Sequence, residues 1–411
     1  MNNVYVIGAG IVGVSCALNL LEKGFKVTLI ERENEVKETS FGNAGVITRS
    51  SAYLINNKNL IPSLKKYIFN THPAVRLNYP YLIKNSIWSS KFLYQSLKNK
   101  SEKNIASLNS IIEVSLDEHK KWLMKANQMS RLREDGWLKL FHSKEGAMST
   151  TYEQSIYRQF GIEYDIIDAE RIKQLEPALK PIYGSAIHIK DATSVDHPGE
   201  VTQSYIDLFV SLGGELIRDD IKRLSIDDKQ VTLHGHRSYV ADQIVLAAGP
   251  WSNDLLKTVS KPIPMCFERG YHKHYHFPDG DRLTRPIYDV DKAFVLTPTT
   301  QGYRLTSGSE LKDKTAPSSP DQLDLVSESV QSCVSLGEPI ENSLWKGNRP
   351  TLPDSLPAIG QSFNCKQIWL AFGHQHIGFS TGPATGRLIA EMMSKQTTFI
   401  DASPFSPARF F

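Results

Sequence analysis

Cysteine is scarce: Cys16, Cys266, Cys333 and Cys365 are scattered over 411 residues, with no C-x-x-C pair and no zinc-type spacing. This excludes a disulfide scaffold and reads as reduced thiols in a reducing, cytoplasmic compartment. Long apolar runs are missing too. No window approaches 18 uninterrupted apolar residues, so no spanning helix is expected. Charge of one sign is also lacking: 47 Lys and Arg against 44 Asp and Glu leave +3, too little for the basic stripe of a nucleic-acid binder. There is no internal repeat or low-complexity tract. The first apolar strand begins at the third or fourth residue, leaving no room for a signal peptide. A composition of 40% hydrophobic and 22% charged residues predicts a soluble globular chain, long enough for two domains.

What is present starts with "VYVIGAGIVGVSCALNLLEKGFKVTLIERE", residues 4 to 33. Val4 to Ile7 is an apolar run suited to a buried parallel strand. Gly8 to Gly13 then fit G-x-G-x-x-G, with Ile11 and Val12 between the second and third glycines. Gly8 permits a tight turn, Gly10 lets backbone approach a pyrophosphate, and Gly13 lets the following helix lie close to the strand. The helix that starts here aims free N–H groups and its positive dipole end at phosphates. Ala17, Leu18 and Leu21 recur at helical spacing, and Gly24 caps the end. Glu31 ends a second strand, where a carboxylate can accept from ribose hydroxyls and repel a 2′-phosphate. Together these features predict a bound dinucleotide.

Further along, residues 59–130 read as helical and 136–141 and 182–189 as strands. Pro198 opens a helix striped by Val201, Tyr205, Leu208 and Leu212 and closed by Gly213 and Gly214. Strands follow at 215–217, 230–234 and 243–248, suggesting a doubly wound sheet assembled from separated segments. Residues 263–306 alternate polar and apolar around "FPDGDR" and "TTQGYR", which predicts antiparallel hairpins. Residues 367–373 return as a buried strand, and Gly382 and Pro383 are expected to start a last helix through Met393. The predicted fold class is α/β (α+β overall): a Rossmann-like cofactor domain over 1–85, 192–256 and 335–411, and an antiparallel mixed-sheet substrate domain over 86–191 and 257–334.

Three further glycine clusters select flavin over nicotinamide. "TSFGNAGV" follows the acidic residue closely and supplies Ser40, Asn43, Ala44, Gly45 and Val46. "VLAAGPWS" supplies Ala248, Gly249 and Trp251, and "AFGHQHIGFSTGPATG" supplies Gly373, His376, Gly378, Phe379 and Ser380. An extended FAD needs close backbone where its isoalloxazine lies, and a helix N-terminus near the pyrimidine stabilises the negative charge of reduction.

Taken together, the chain resembles the D-amino-acid oxidase superfamily of FAD-dependent amine oxidoreductases, and within it looks most like the bacterial D-amino-acid dehydrogenase branch. The resemblance rests on Gly8, Gly10, Gly13 and Glu31, on "TSFGNAG", "ERGYH" (268–272) and "GNRPTLPDSLPAIG" (347–360), and on "GHQHIGFSTGP". It implies FAD, with Arg32 and Ile221 as further cofactor contacts, and a small amino or imino acid as substrate. Arg349 would pair with the substrate carboxylate, a role its guanidinium fork suits. Tyr271 and His272 would line the substrate cavity, and His376 would lie near flavin or substrate. Some relatives tether FAD through a Cys just before the equivalent of Arg349 or a His near the second cluster. Here the nearest upstream Cys is Cys333 and "TSFGNAGV" has no His, so FAD is expected to be non-covalent.

In an extended "RGYHKHYHF", His272, His274 and His276 share one face, but nothing else supports a metal site, and none is expected. The implied reaction is oxidation of a D-amino acid to imino and then keto acid, with electrons passing to a quinone or another non-oxygen acceptor. Alternatives are a glycine or sarcosine-type oxidase, a D-proline or hydroxyproline dehydrogenase, and a non-catalytic flavin-binding or electron-transfer subunit. Residues 84–103 carry five lysines among aromatics against Glu102 alone. A solvated lysine face on one helix is the preferred reading; a peripheral position on the inner face of the membrane is the second.

Overall fold

The computed structural model describes residues 3–35, 37–227, 230–319 and 321–411. A six-stranded sheet runs in the order Glu215–Arg218, Lys26–Glu31, Asn3–Ile7, Gln243–Leu246, Ile368–Phe372, Ala358–Gln361. All neighbours are parallel except the last pair. Its interior strands are buried on both faces, which is why they read as continuous Val, Ile and Leu runs. One face is covered by the first helix, Ile11–Glu22, and the last, Gly378–Met393. These two helices approach so closely that a Cβ on Gly386 would stand 2.3 Å from the Ser15 carbonyl oxygen. Residues 230–234 do not join this sheet: Val231–His234 is the middle of a separate three-stranded antiparallel sheet.

The larger mixed sheet passes through Ser309–Leu311, Cys266–Tyr275, Gly302–Thr306, Phe294–Thr299, Ile287–Asp289, Trp137–Phe141, Ser185–Ile189 and Tyr164–Asp168. Val75–Leu77 extends one edge, and Trp345–Thr351 pairs with Cys266–Tyr275. Both of these strands come from segments that the sequence assigned to the cofactor part. "TTQGYR" is a hairpin, with Thr299 opposite Gly302. "FPDGDR" is not: Cys266–Tyr275 and Ile287–Asp289 on its two sides pair with other strands.

The last helix starts at Gly378, four residues before Gly382, and Pro383 lies inside it. The predicted basic helix over 84–103 is divided: Tyr79–Lys84 and Ser86–Gln95 are separated by Asn85, and Lys98–Ile112 starts after Leu97. No helix among the described residues is long and apolar enough to cross a membrane. All four cysteines are free and buried.

Candidate active site

The glycine turn between Asn3–Ile7 and the first helix has the form its sequence requires. Gly8 has φ +100°, and a Cβ there would lie 2.7 Å from the Ala247 carbonyl oxygen. A Cβ on Gly13 would lie 1.8 Å from the Gly8 oxygen, so helix and turn touch as backbone. Gly10, by contrast, faces only the Ser40 hydroxyl, at 3.5 Å, and no side chain caps the helix. Among the described residues its first-turn N–H groups, including that of Val12, have no side-chain partner and are open to an anion, apart from Ile11 N, which lies 3.4 Å from Ser40 Oγ. Glu31 has a second task that the sequence did not reveal. Its Oε2 accepts from Ala9 N at 2.7 Å and its Oε1 from Arg32 N at 2.9 Å, so the carboxylate holds the turn it serves.

Arg32 lies over the Trp251 ring, 3.9 Å from its centroid, joining the strand end to the third glycine cluster. Ala248 and Gly249 (φ +51°) lead into Trp251, beside the strand that follows Asn3–Ile7. Ile221 is buried beneath this end of the sheet with Ile7, Ile30 and Leu246.

Ser40 links this turn to a cavity of about 1090 Å³. Ser40, Asn43, Ala44 and Val46 line it from the second cluster, and His376, Gly378, Phe379 and Ser380 from the fourth. The two clusters are stitched together: Asn43 Nδ2 donates to the His376 carbonyl at 3.1 Å, and Ser380 Oγ donates to the Val46 carbonyl at 3.1 Å. Gly45 (φ +77°) packs against Val195, and Gly373 (φ +90°) leaves no room for a Cβ beside Leu352. Behind the second cluster stands Arg304, fully buried. Its Nη1 donates to the carbonyls of Phe41, at 3.0 Å, and Asn43, at 2.7 Å.

Its Nε donates to His274 Nε2 at 3.0 Å, and His274 Nδ1 is hydrogen-bonded to Glu341. His274 thus anchors the arginine that holds the loop. Both its ring nitrogens are engaged, and His276 is exposed beyond the strand end, so the three histidines of this stretch do not converge.

Arg349 enters the cavity from Trp345–Thr351, directly opposite Glu268 in the antiparallel register. Its guanidinium packs on Gly270, where a Cβ would stand 2.3 Å from Nη2. Nη1 donates to Ser309 Oγ at 3.0 Å, and Arg349 forms no ion pair among the described residues. Burial pulls its pKa down, and the facing Glu268 opposes that. Burial in turn raises the Glu268 carboxyl above the usual carboxylate range, with Arg349 and the Thr351 hydroxyl pulling it back. His376 is held to about 4 by burial and by the Arg349 charge, so its ring is neutral.

The wall positions on Cys266–Tyr275 are Glu268 and Gly270, not Tyr271 and His272. Tyr271 sits on the opposite face of the strand, because side chains alternate, and its hydroxyl donates to Glu310 at 2.6 Å. His272 stacks behind Trp345, with ring centroids 4.4 Å apart. Trp345 is the wall residue in its place, its ring clamped where a Cβ on Gly42 or Gly347 would collide with it. Neither Trp345 nor Ser309 was singled out from sequence. The signal for Trp345 was its position four residues before Arg349, on the same strand face. At the far end of the cavity the buried Glu153 accepts from both Lys139 and Tyr157.

The donor set fits an extended flavin dinucleotide, with free helix N-termini at both ends, a ribose acceptor at Glu31, and a cavity continuing past Ser40 toward Arg349. The comparisons agree. Residues 3–392 match the family described as DAO, FAD dependent oxidoreductase. The chain belongs to this DAO family of FAD-dependent oxidoreductases. A D-amino-acid oxidase of Bradyrhizobium diazoefficiens is 28% identical over 418 residues, 99% of each chain. A D-amino acid dehydrogenase of Helicobacter pylori is 24% identical over 396 residues, 95% of this chain and 94% of that one. In fold the chain is similar to the glycine oxidase of Geobacillus kaustophilus, with TM-score 0.76 at 17% identity and all of both chains covered. It is also similar to the L-proline dehydrogenase of P. horikoshii, with TM-score 0.76 at 19% identity over 100% of this chain and 97% of the other.

Proposed function

We propose that the protein oxidises a D-amino acid, or a small imino acid, to the 2-imino acid, which water hydrolyses to the 2-keto acid. When bound, FAD supplies the acceptor for the hydride leaving Cα. Arg349 binds the carboxylate bidentately, with Ser309 fixing the plane of its guanidinium. Neutral His376, beside Arg349, accepts a hydrogen bond from the unprotonated amino group and so turns Cα–H toward the glycine-lined wall. Trp345 packs on Gly42 of the second glycine cluster and excludes water from that part of the cavity. Orientation supplies most of the rate, and no strong base is required.

The observation that carries this reading is Arg349 itself, a cavity-facing, half-buried cation with a serine hydroxyl as its neighbour and no ion pair among the described residues. The names of the curated relatives, a D-amino-acid oxidase and a D-amino acid dehydrogenase, support the D-configuration. FAD is held without a covalent bond in this reading; among the described lining residues none is a cysteine. The enzyme is cytoplasmic in location and passes electrons to a quinone or another non-oxygen acceptor.

The test is a panel of D- and L-amino acids, glycine, sarcosine and D-proline mixed anaerobically with the yellow holoenzyme. Bleaching by D-amino acids supports the proposal. Bleaching confined to glycine and sarcosine, or to cyclic amines, assigns those reactions instead. No bleaching at all identifies a non-catalytic flavin carrier. Peroxide yield in air against dye reduction under nitrogen then separates oxidase from dehydrogenase.

A further inference from the structure

Charge that is balanced over the whole chain is unbalanced in one place. Residues 39–101 contain seven Lys, two Arg and no Asp or Glu, so a chain of net +3 carries +9 here and −6 elsewhere. None of the seven lysines forms an ion pair among the described residues; in this stretch Arg76 pairs with Asp321, and Arg49 with Glu113 and Asp191.

Exposed apolar side chains concentrate in the same place. Of the 21 large hydrophobic residues exposed among those described, ten fall between Ile55 and Leu97. The helix Leu60–Tyr67 has no buried residue, and just past it Phe69 is 78% exposed. In Ser86–Gln95, Trp88 points inward, its Nε1 donating to the Thr351 carbonyl at 2.9 Å, and stacks on Phe92. Ile87, Lys91 and Tyr94, at i, i+4 and i+7, are left on the outer face.

These helices also form the rim of the active-site cavity. Ile55, Tyr79, Ile83 and Leu93 line the cavity and are themselves 45%, 44%, 74% and 38% exposed, so its mouth is apolar and opens among the lysines.

We propose that the outer face of Leu60–Tyr67, Tyr79–Lys84 and Ser86–Gln95 is a docking surface for an anionic lipid bilayer, which seats the cavity mouth at headgroup level. The apolar side chains enter the acyl boundary, the tyrosines lie at the interface, and the lysines extend to the phosphates. A second copy is a poor occupant, because a two-fold pairing would oppose two sets of uncompensated lysines. The surface stands independently of the substrate assignment. Only its consequence for a lipid-soluble acceptor rests on the acceptor class proposed above.

The experiment is sedimentation of the holoenzyme with vesicles of phosphatidylglycerol and phosphatidylcholine, or of phosphatidylcholine alone. We expect at least ~10-fold more protein pelleted with the anionic vesicles at about 50 mM salt, and release at about 0.5 M. The double variants Phe69→Ser/Ile87→Ser and Lys65→Glu/Lys91→Glu should stay in the supernatant while keeping bound flavin and dye-coupled activity. Retained yellow colour reports folding whatever the substrate, so failure here is distinguishable from failure of the proposed reaction. The proposal is overturned if the wild type ignores anionic vesicles at low salt, or if both variants still bind. It is equally overturned if light scattering shows a dimer that the same substitutions dissociate.

Discussion

His119 Nε2 donates to the carbonyl oxygen of Phe379 at 2.8 Å, and that carbonyl is the one Pro383 leaves without a helical partner. In an unbroken helix the N–H of residue 383 would bond to the oxygen of residue 379, but proline has none. The buried ring of a helix far away in sequence takes its place, and its Nδ1 meets the Tyr205 hydroxyl at 3.0 Å. The last helix can therefore begin at Gly378 and present its first turn to the cavity, with Pro383 inside it.

Replacing His119 with Phe should strand that carbonyl and lower stability by about 1–3 kcal/mol, read from urea unfolding. The ring also gives the chain an acid-sensitive stability. Burial lowers His119, His197 and His376 to about 4, and His374 to about 3. All lie below the ordinary value near 6.5, so the unfolded chain binds more protons between about pH 4 and 6.5. Stability is therefore full above about pH 6.5 and falls as the pH drops through that window. His119→Phe should flatten the slope; an unchanged slope would contradict a buried neutral ring.

Arg304 holds the second glycine cluster from behind. Arg304→Lys keeps the charge but cannot bridge the Phe41 and Asn43 carbonyls and His274 together. FAD dissociation should rise roughly 10-fold, measured by fluorescence titration, with KM for the amino acid little changed. An unaltered FAD affinity would show that the second glycine cluster holds its shape alone.

Glu268 faces Arg349 and tempers its charge. Glu268→Gln should lower KM for carboxylate substrates several-fold, because the guanidinium then carries its charge with less local compensation. A higher KM would make Glu268 a positioning residue that Arg349 needs.

How much of this was legible in the sequence depended on the range of the interaction. Gly8, Gly10, Gly13 and Glu31 act within one strand–turn–helix–strand unit, where spacing alone fixes geometry. Arg349 was recognisable from its motif. Its surroundings were not: Glu268 and Ser309 meet it through strand register, 81 and 40 positions away in sequence. Along Cys266–Tyr275 the neighbouring strands set which face meets the cavity: Tyr271 lies on the other face, and His272, on the same face as Glu268 and Gly270, is covered by Trp345. The start of the last helix was misjudged for a similar reason. Proline favours a first turn, and the histidine that permits one further along lies some 260 residues earlier.

The most direct measurement is anaerobic reduction of the flavin by a D-amino acid in wild type and in Arg349→Ala, each saturated with FAD. The arginine clamp predicts that the variant needs roughly 100-fold more substrate for half-maximal bleaching, with its yellow colour intact. Equal half-saturation in the two proteins would contradict it.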